Sequence, residues 1–228
     1  MFFFDPMYLI WVAPAMLLGM WAQWRVHSAF AAAREQAAAL SGAAAARHIL
    51  ESAGETDVVI EQVPGQLTDH YDPRQKVLRL SSDVYSGKTL AAVGIAAHEA
   101  GHALQDAQGY SLMAVRNAAV GVANIGSGLG ILVFMIGLGM MLTPVAWIGI
   151  SLFAGTVFFQ LVNLPVEFDA SNRAKAQLVS LGIVPADEMP AVNNVLDAAA
   201  WTYVAGTLQS ILTLLYYASF LTGGRSDD

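Results

Sequence analysis

The sequence predicts a mainly α-helical membrane protein with four spanning helices and a small α+β part, and three observations predict it. Of the 228 residues 56% are hydrophobic and only 13% charged, far from the roughly 25% charged of an average soluble domain. Four stretches are each apolar over about the 17–25 residues that a spanning helix needs. Between the first and second of them lies a polar region with the β-branched, alternating pattern of a small strand pair. The chain divides accordingly into residues 1–24 (anchor), 25–117 (polar region), 118–164 (membrane hairpin), 165–202 (polar helices) and 203–228 (last span and tail).

The first span, residues 7–24, carries Tyr8 and Trp11 at one end and Trp21 and Trp24 at the other, where interface aromatics belong. No Lys or Arg precedes it and Asp5 does, which favours a retained anchor over a cleaved signal peptide. Residues 28–53 are alanine-rich and helical in composition, interrupted at Ser41-Gly42 and closed by Gly54. Residues 57–63 and 76–80 read as the strand pair, the second a possible edge strand for an extended peptide. A helix follows over about residues 88–107. Spans are expected at about 118–142, 145–164 and 203–221, the first two joined by the Thr143-Pro144 turn. Gly126 and Gly130 form a small-xxx-small pair for close helix packing. The intervening polar stretch predicts one helix beginning at Pro165 and ending near Gly182, and another after Pro185.

Charge sets the orientation. Eight of the eleven basic residues fall between Arg25 and Arg116, and Arg173 and Lys175 lie between the third and fourth spans. Positive charge stays in the cytoplasm, so both polar stretches are expected there, in a bacterial plasma membrane, with the C-terminal tail outside. A net charge of -7 with scattered basic residues excludes a nucleic-acid surface. With no cysteine, disulfides and thiolate metal sites are excluded. Any zinc would need His and carboxylate ligands.

The chemistry concentrates in His98-Glu99-Ala100-Gly101-His102, two histidines four apart on one helix face with a glutamate between them. The flanking residues from Ala91 to Leu104 are almost all apolar, so this is a buried helix, and buried imidazoles and carboxylates need a partner. A metal supplies one, and Glu99 then stands where it can take a proton from an activated water. Gly101 inside the helix implies a close approach. A third ligand is required. The candidates are His70, Asp106, Glu167 and Asp169. Glu167 is preferred, because it leaves the third span on the same side as His102, whereas Asp169 pairs with Arg173 one turn on.

Residues 98–105 (HEAGHALQ), 67–73 (LTDHYDP) and 164–174 (LPVEFDASNRA) resemble, in order and with the same membrane pattern, the bacterial YugP-type neutral zinc metallopeptidases. The resemblance implies a zincin-like membrane peptidase with zinc as cofactor, His98, His102 and Glu167 as ligands, and Glu99 as general base. Related membrane gluzincins carry an aspartate four residues after the third-ligand glutamate. Here that position is Ser171, which would orient a ligand histidine less strongly than a carboxylate. His70 and Tyr203 are further candidates for stabilising an oxyanion. The expected partners are the lipid bilayer and a membrane or membrane-proximal polypeptide substrate, with an oligomer or a membrane partner left open. Two alternatives remain: an intramembrane, site-2-like metalloprotease whose histidine helix itself crosses the bilayer, and a metal-binding membrane scaffold without catalysis.

Overall fold

The computed structural model describes residues 5–222, so the C-terminal tail and the first four residues of the anchor lie outside the described residues. The chain is mainly helical with one small sheet. Its elements run α1 (Pro6–Arg34), α2 (Gly42–Ser52), β1 (Val59–Val63), β2 (His70–Asp72), β3 (Val77–Ser81), α3 (Ser82–Tyr85), α4 (Leu90–Ala107), α5 (Ser111–Ile125), a π-helical turn (Gly126–Gly130), α6 (Ile131–Gly139), α7 (Thr143–Ser180) and α8 (Met189–Thr222). Among the described residues four helices are long and apolar enough to cross a membrane: Pro6–Arg34, Ser111–Gly139, Thr143–Ser180 and Met189–Thr222. The histidine helix α4 is not among them.

The chain forms two compact units. One comprises, of the described residues, 5–21, 115–165 and 201–222, and in it backbones approach where glycine removes the side chain. A Cβ on Gly126 would lie 2.2 Å from the Leu152 carbonyl oxygen, and one on Gly149 2.3 Å from the Phe134 nitrogen. Such contacts are how helices associate in lipid, where burial of apolar surface drives nothing. Aromatic residues meet within the same unit: Tyr8 stacks on Tyr217 at 5.8 Å, and Trp21 meets Trp201 edge-on at 5.6 Å. Large apolar side chains such as Leu17, Leu132 and Ile148 face outward, the arrangement a bilayer requires.

The other unit, residues 22–114 and 166–200, carries the sheet and α4. Ser41 accepts from the Ala44 N–H to cap α2, as Thr89 does from Ala92 to cap α4. Gly109, at φ 63, ends the chain's path out of α4, with the Tyr110 N–H returning to the Gln105 carbonyl. Between those ends α4 is apolar nearly all round. Val93, Ala96, Ala97 and Ala100 are fully buried in one core with Ile49, Leu78, Val166, Leu178 and Val192.

Three expectations change. The sheet has three strands in the order β1-β3-β2, with β1 parallel and β2 antiparallel to β3. The 76–81 segment, whose residues 77–81 form the central strand, therefore offers no free edge. β3 is paired along both edges, with Leu78 and Leu80 fully buried on one face, while β1, with exposed Glu61 and Gln62, takes an edge. Second, no helix begins at Pro165, which lies inside the continuous α7. Proline is tolerated in such helices, and the stripe Val166, Ala170, Ala174 and Leu178 beyond it is buried. Third, α8 is one helix from Met189 to Thr222, with no break between its polar start and its apolar end.

Candidate metal centre

Two helices of one unit build the site, and a glycine lets them meet. A Cβ on Gly101 of α4 would lie 2.5 Å from the Ala170 carbonyl oxygen of α7, closer than any side chain tolerates. The glycine read from the sequence as marking a close approach faces another helix backbone. Beside this contact His98, one turn before Gly101, and His102, the residue after it, meet Glu167 of α7, one turn before Ala170. His98 Nε2 lies 3.2 Å and His102 Nε2 3.6 Å from the same oxygen, Glu167 Oε2. Among the described residues these three form the one group of His and carboxylate side chains whose ligand atoms all lie within 4.8 Å of one another.

Those spacings are a test of fit for zinc. Bonds of about 2.0–2.2 Å in tetrahedral geometry separate ligand atoms by about 3.3–3.6 Å, and the two measured edges bracket that range. The donor set, two imidazoles and one carboxylate, is also that of catalytic zinc sites, which leave a fourth position open. The residues fit the ion.

Burial sharpens the electrostatics. Glu167 is 3% exposed, His102 7% and Glu99 9%. Burial alone would push Glu167 toward its neutral acid, but the hydrogen bonds and charges of His102 and His98 outweigh it and hold the carboxyl well below the usual carboxylate range. Burial likewise opposes a charged His102. The Glu167 bond and charge, joined by the Glu99 charge and Gln105, outweigh it and raise the imidazole above its ordinary value. Glu99 takes part in none of the hydrogen bonds that hold the two rings.

The far sides of the rings are held as well. His98 Nδ1 lies 3.1 Å from Ser171 Oγ, and His102 Nδ1 lies 2.9 Å from Gln105 Oε1. Ser171 thus stands beside a ligand-position histidine, as its spacing from Glu167 suggests. Gln105 is absent from the residues singled out by sequence. Its signal was a polar side chain three residues after His102 on an otherwise apolar helix, and it is fully buried.

The other candidates are not members of this group. Asp106 accepts from the Tyr71 hydroxyl at 2.9 Å. His70 is exposed on β2 and donates from Nδ1 to the Thr68 carbonyl at 2.8 Å. Asp169 pairs with Arg173 as the i,i+4 spacing predicts, but it is no solvated bystander, since Gln105 Nε2 donates to it at 2.8 Å. Tyr203 belongs to the unit that does not contain these residues.

Comparison with known proteins gives a family and a relative. The family described as "Putative neutral zinc metallopeptidase" matches residues 8–222. A Bacillus subtilis (strain 168) protein named "Putative membrane protease YugP" is 43% identical over 216 residues, covering 94% of this chain and 96% of that protein. No solved structure matches the chain.

Proposed function

The chain belongs to the neutral zinc metallopeptidase family, and from that membership and the geometry of its site we propose that it hydrolyses peptide bonds at a zinc ion held by His98, His102 and Glu167. The observation that carries the reading is the pair of spacings, 3.2 and 3.6 Å, by which two imidazoles flank one carboxylate oxygen. When bound, zinc supplies Lewis acidity toward a water and a scissile carbonyl at neutral pH. Glu99 sits between the two histidines on α4, takes the proton from the attacking water, and delivers it to the leaving amine. A site that only held a metal would have no need of a carboxylate there. Gly101 keeps the third ligand within reach of the other two, and the apolar wall of α4 keeps bulk water from the buried side.

The basic residues at the membrane ends support a reading in which the site faces the cytoplasmic side of a bacterial plasma membrane. The substrate class is then a membrane or membrane-proximal polypeptide, whose effective concentration at a tethered site is raised. The test is zinc content of the detergent-purified full chain beside His98→Ala, Glu167→Ala and Glu99→Gln. About one zinc per chain in wild type and Glu99→Gln, lost in the other two while they stay folded, is the expected result. Glu99→Gln is expected to bind peptide without cleaving it. Zinc that survives Glu167→Ala would remove that residue from the ligand set, and folded wild type without zinc would leave a scaffold.

A further inference from the structure

We propose that Gln105 and Asp169 together orient the imidazole of His102, as positioning residues in a relay that runs Arg173, Asp169, Gln105, His102. The inference rests on the zinc site proposed above and says how one of its ligands is presented. Its core is an argument about hydrogens. An amide is nearly symmetric in shape, so which end of Gln105 faces His102 must be decided by what the other end meets. On one side, Gln105 Nε2 lies 2.8 Å from the Val166 carbonyl oxygen and 2.8 Å from Asp169 Oδ2. Neither acceptor has a hydrogen to give. The amide nitrogen must therefore face them, and its oxygen must face His102 Nδ1, 2.9 Å away. That oxygen can only accept. In its neutral, metal-binding form His102 accordingly carries its hydrogen on Nδ1 and keeps the Nε2 lone pair for the side where Glu167 lies.

Asp169 is the decisive member of the pair. The Val166 carbonyl is a backbone acceptor inside α7, whereas a bond to a carboxylate is about twice as strong as a neutral one. Asp169 is itself fixed by Arg173 Nε. The same guanidinium donates to Gln108 at the C-terminal cap of α4 and lies 5.8 Å from the Tyr110 ring centre. The relay is therefore tied to both helices that build the site. His98 has no such device, because the Ser171 hydroxyl at its Nδ1 can either give or take a hydrogen. The position four residues after Glu167 lacks a carboxylate, and Asp169 supplies one through a fully buried amide instead.

The test uses the full chain in detergent, with zinc affinity measured by competition with a chromogenic chelator. The visible spectrum of the Co2+-substituted protein reports ligand geometry, and circular dichroism reports folding. The variants are Gln105→Leu, Asp169→Ala, the double substitution, and His98→Ala as a ligand control. Each single change is expected to weaken zinc by about 10–100-fold and to shift the Co2+ bands. Because Asp169 acts through Gln105, the double variant should be no weaker than Gln105→Leu alone. Should Gln105→Leu fail to fold, Asp169→Ala carries the test, since Asp169 lies at the half-buried rim. Wild-type affinity and spectrum in Asp169→Ala would overturn the proposal while leaving the zinc site standing, and so would losses that simply multiply in the double variant. Zinc binding that is absent from wild type, or indifferent to His98→Ala, would overturn the site itself and the relay with it.

Discussion

Gly101 is the residue on which the site's dimensions depend. Its missing Cβ is what brings Ala170, and with it Glu167, up to α4. Gly101→Ala is therefore expected to destabilise the chain by about 1–3 kcal/mol and to weaken zinc retention together, read by thermal denaturation in detergent and by metal content. A second prediction follows from His102. A metal ligand must be neutral, and the raised imidazole holds its proton to higher pH than an ordinary histidine, so binding metal must expel it. Zinc affinity should fall as pH drops through that raised value and level off above it. Calorimetry in buffers of different ionisation enthalpy should show proton release, and none would count against His102 as a ligand. Without metal the slope reverses. The charged pair with Glu167 contributes stability that is fully present below the ordinary imidazole value and is lost as pH rises through the raised one.

Among the elements, the glycines of the α6–α7 hairpin separate into two kinds. A Cβ on Gly149 would strike the Phe134 backbone at 2.3 Å, whereas one on Gly128 meets nothing within 4 Å. Gly149→Ala is expected to lower the thermal midpoint in detergent. Gly128→Ala should leave it unchanged or raise it, since alanine is the better helix former by about 1 kcal/mol. Equal effects at the two positions would mean that contact with α6 does not govern this packing. The sheet teaches a related lesson. Its alternating apolar residues were legible, but β2 has three residues, too few for any periodicity to register, and without it β3 reads as an edge. The helix expected to start at Pro165 failed for a similar reason: proline is a strong local signal, and the buried stripe beyond it overrides that signal.

For the molecule as a whole, the orientation is open to a direct experiment, and the absence of cysteine makes it clean. Met141, 92% exposed in the turn between α6 and α7, and Glu61, exposed on β1, are suited to single-cysteine labelling. With the site in the cytoplasm, Met141→Cys should react with a membrane-impermeant maleimide on intact cells, and Glu61→Cys only after permeabilisation. The reverse pattern would place the site outside and redirect the search for substrates.

Four apolar segments, the membrane setting, the helix bearing His98, Glu99 and His102, and the grouping of Glu167 with the two histidines were all legible in the sequence. Each depends on local composition, on helical period, or on counting which side of a membrane a residue occupies. The tertiary structure alone decided the order of the strands, the continuity of α7 through Pro165, and the partners behind the two imidazoles. Those features depend on which residues distant in the chain come within a hydrogen bond of one another. Gln105 and Asp169 are 64 positions apart, and only the packing of α4 on α7, permitted by one glycine, makes a carboxylate on one helix govern a ring on the other.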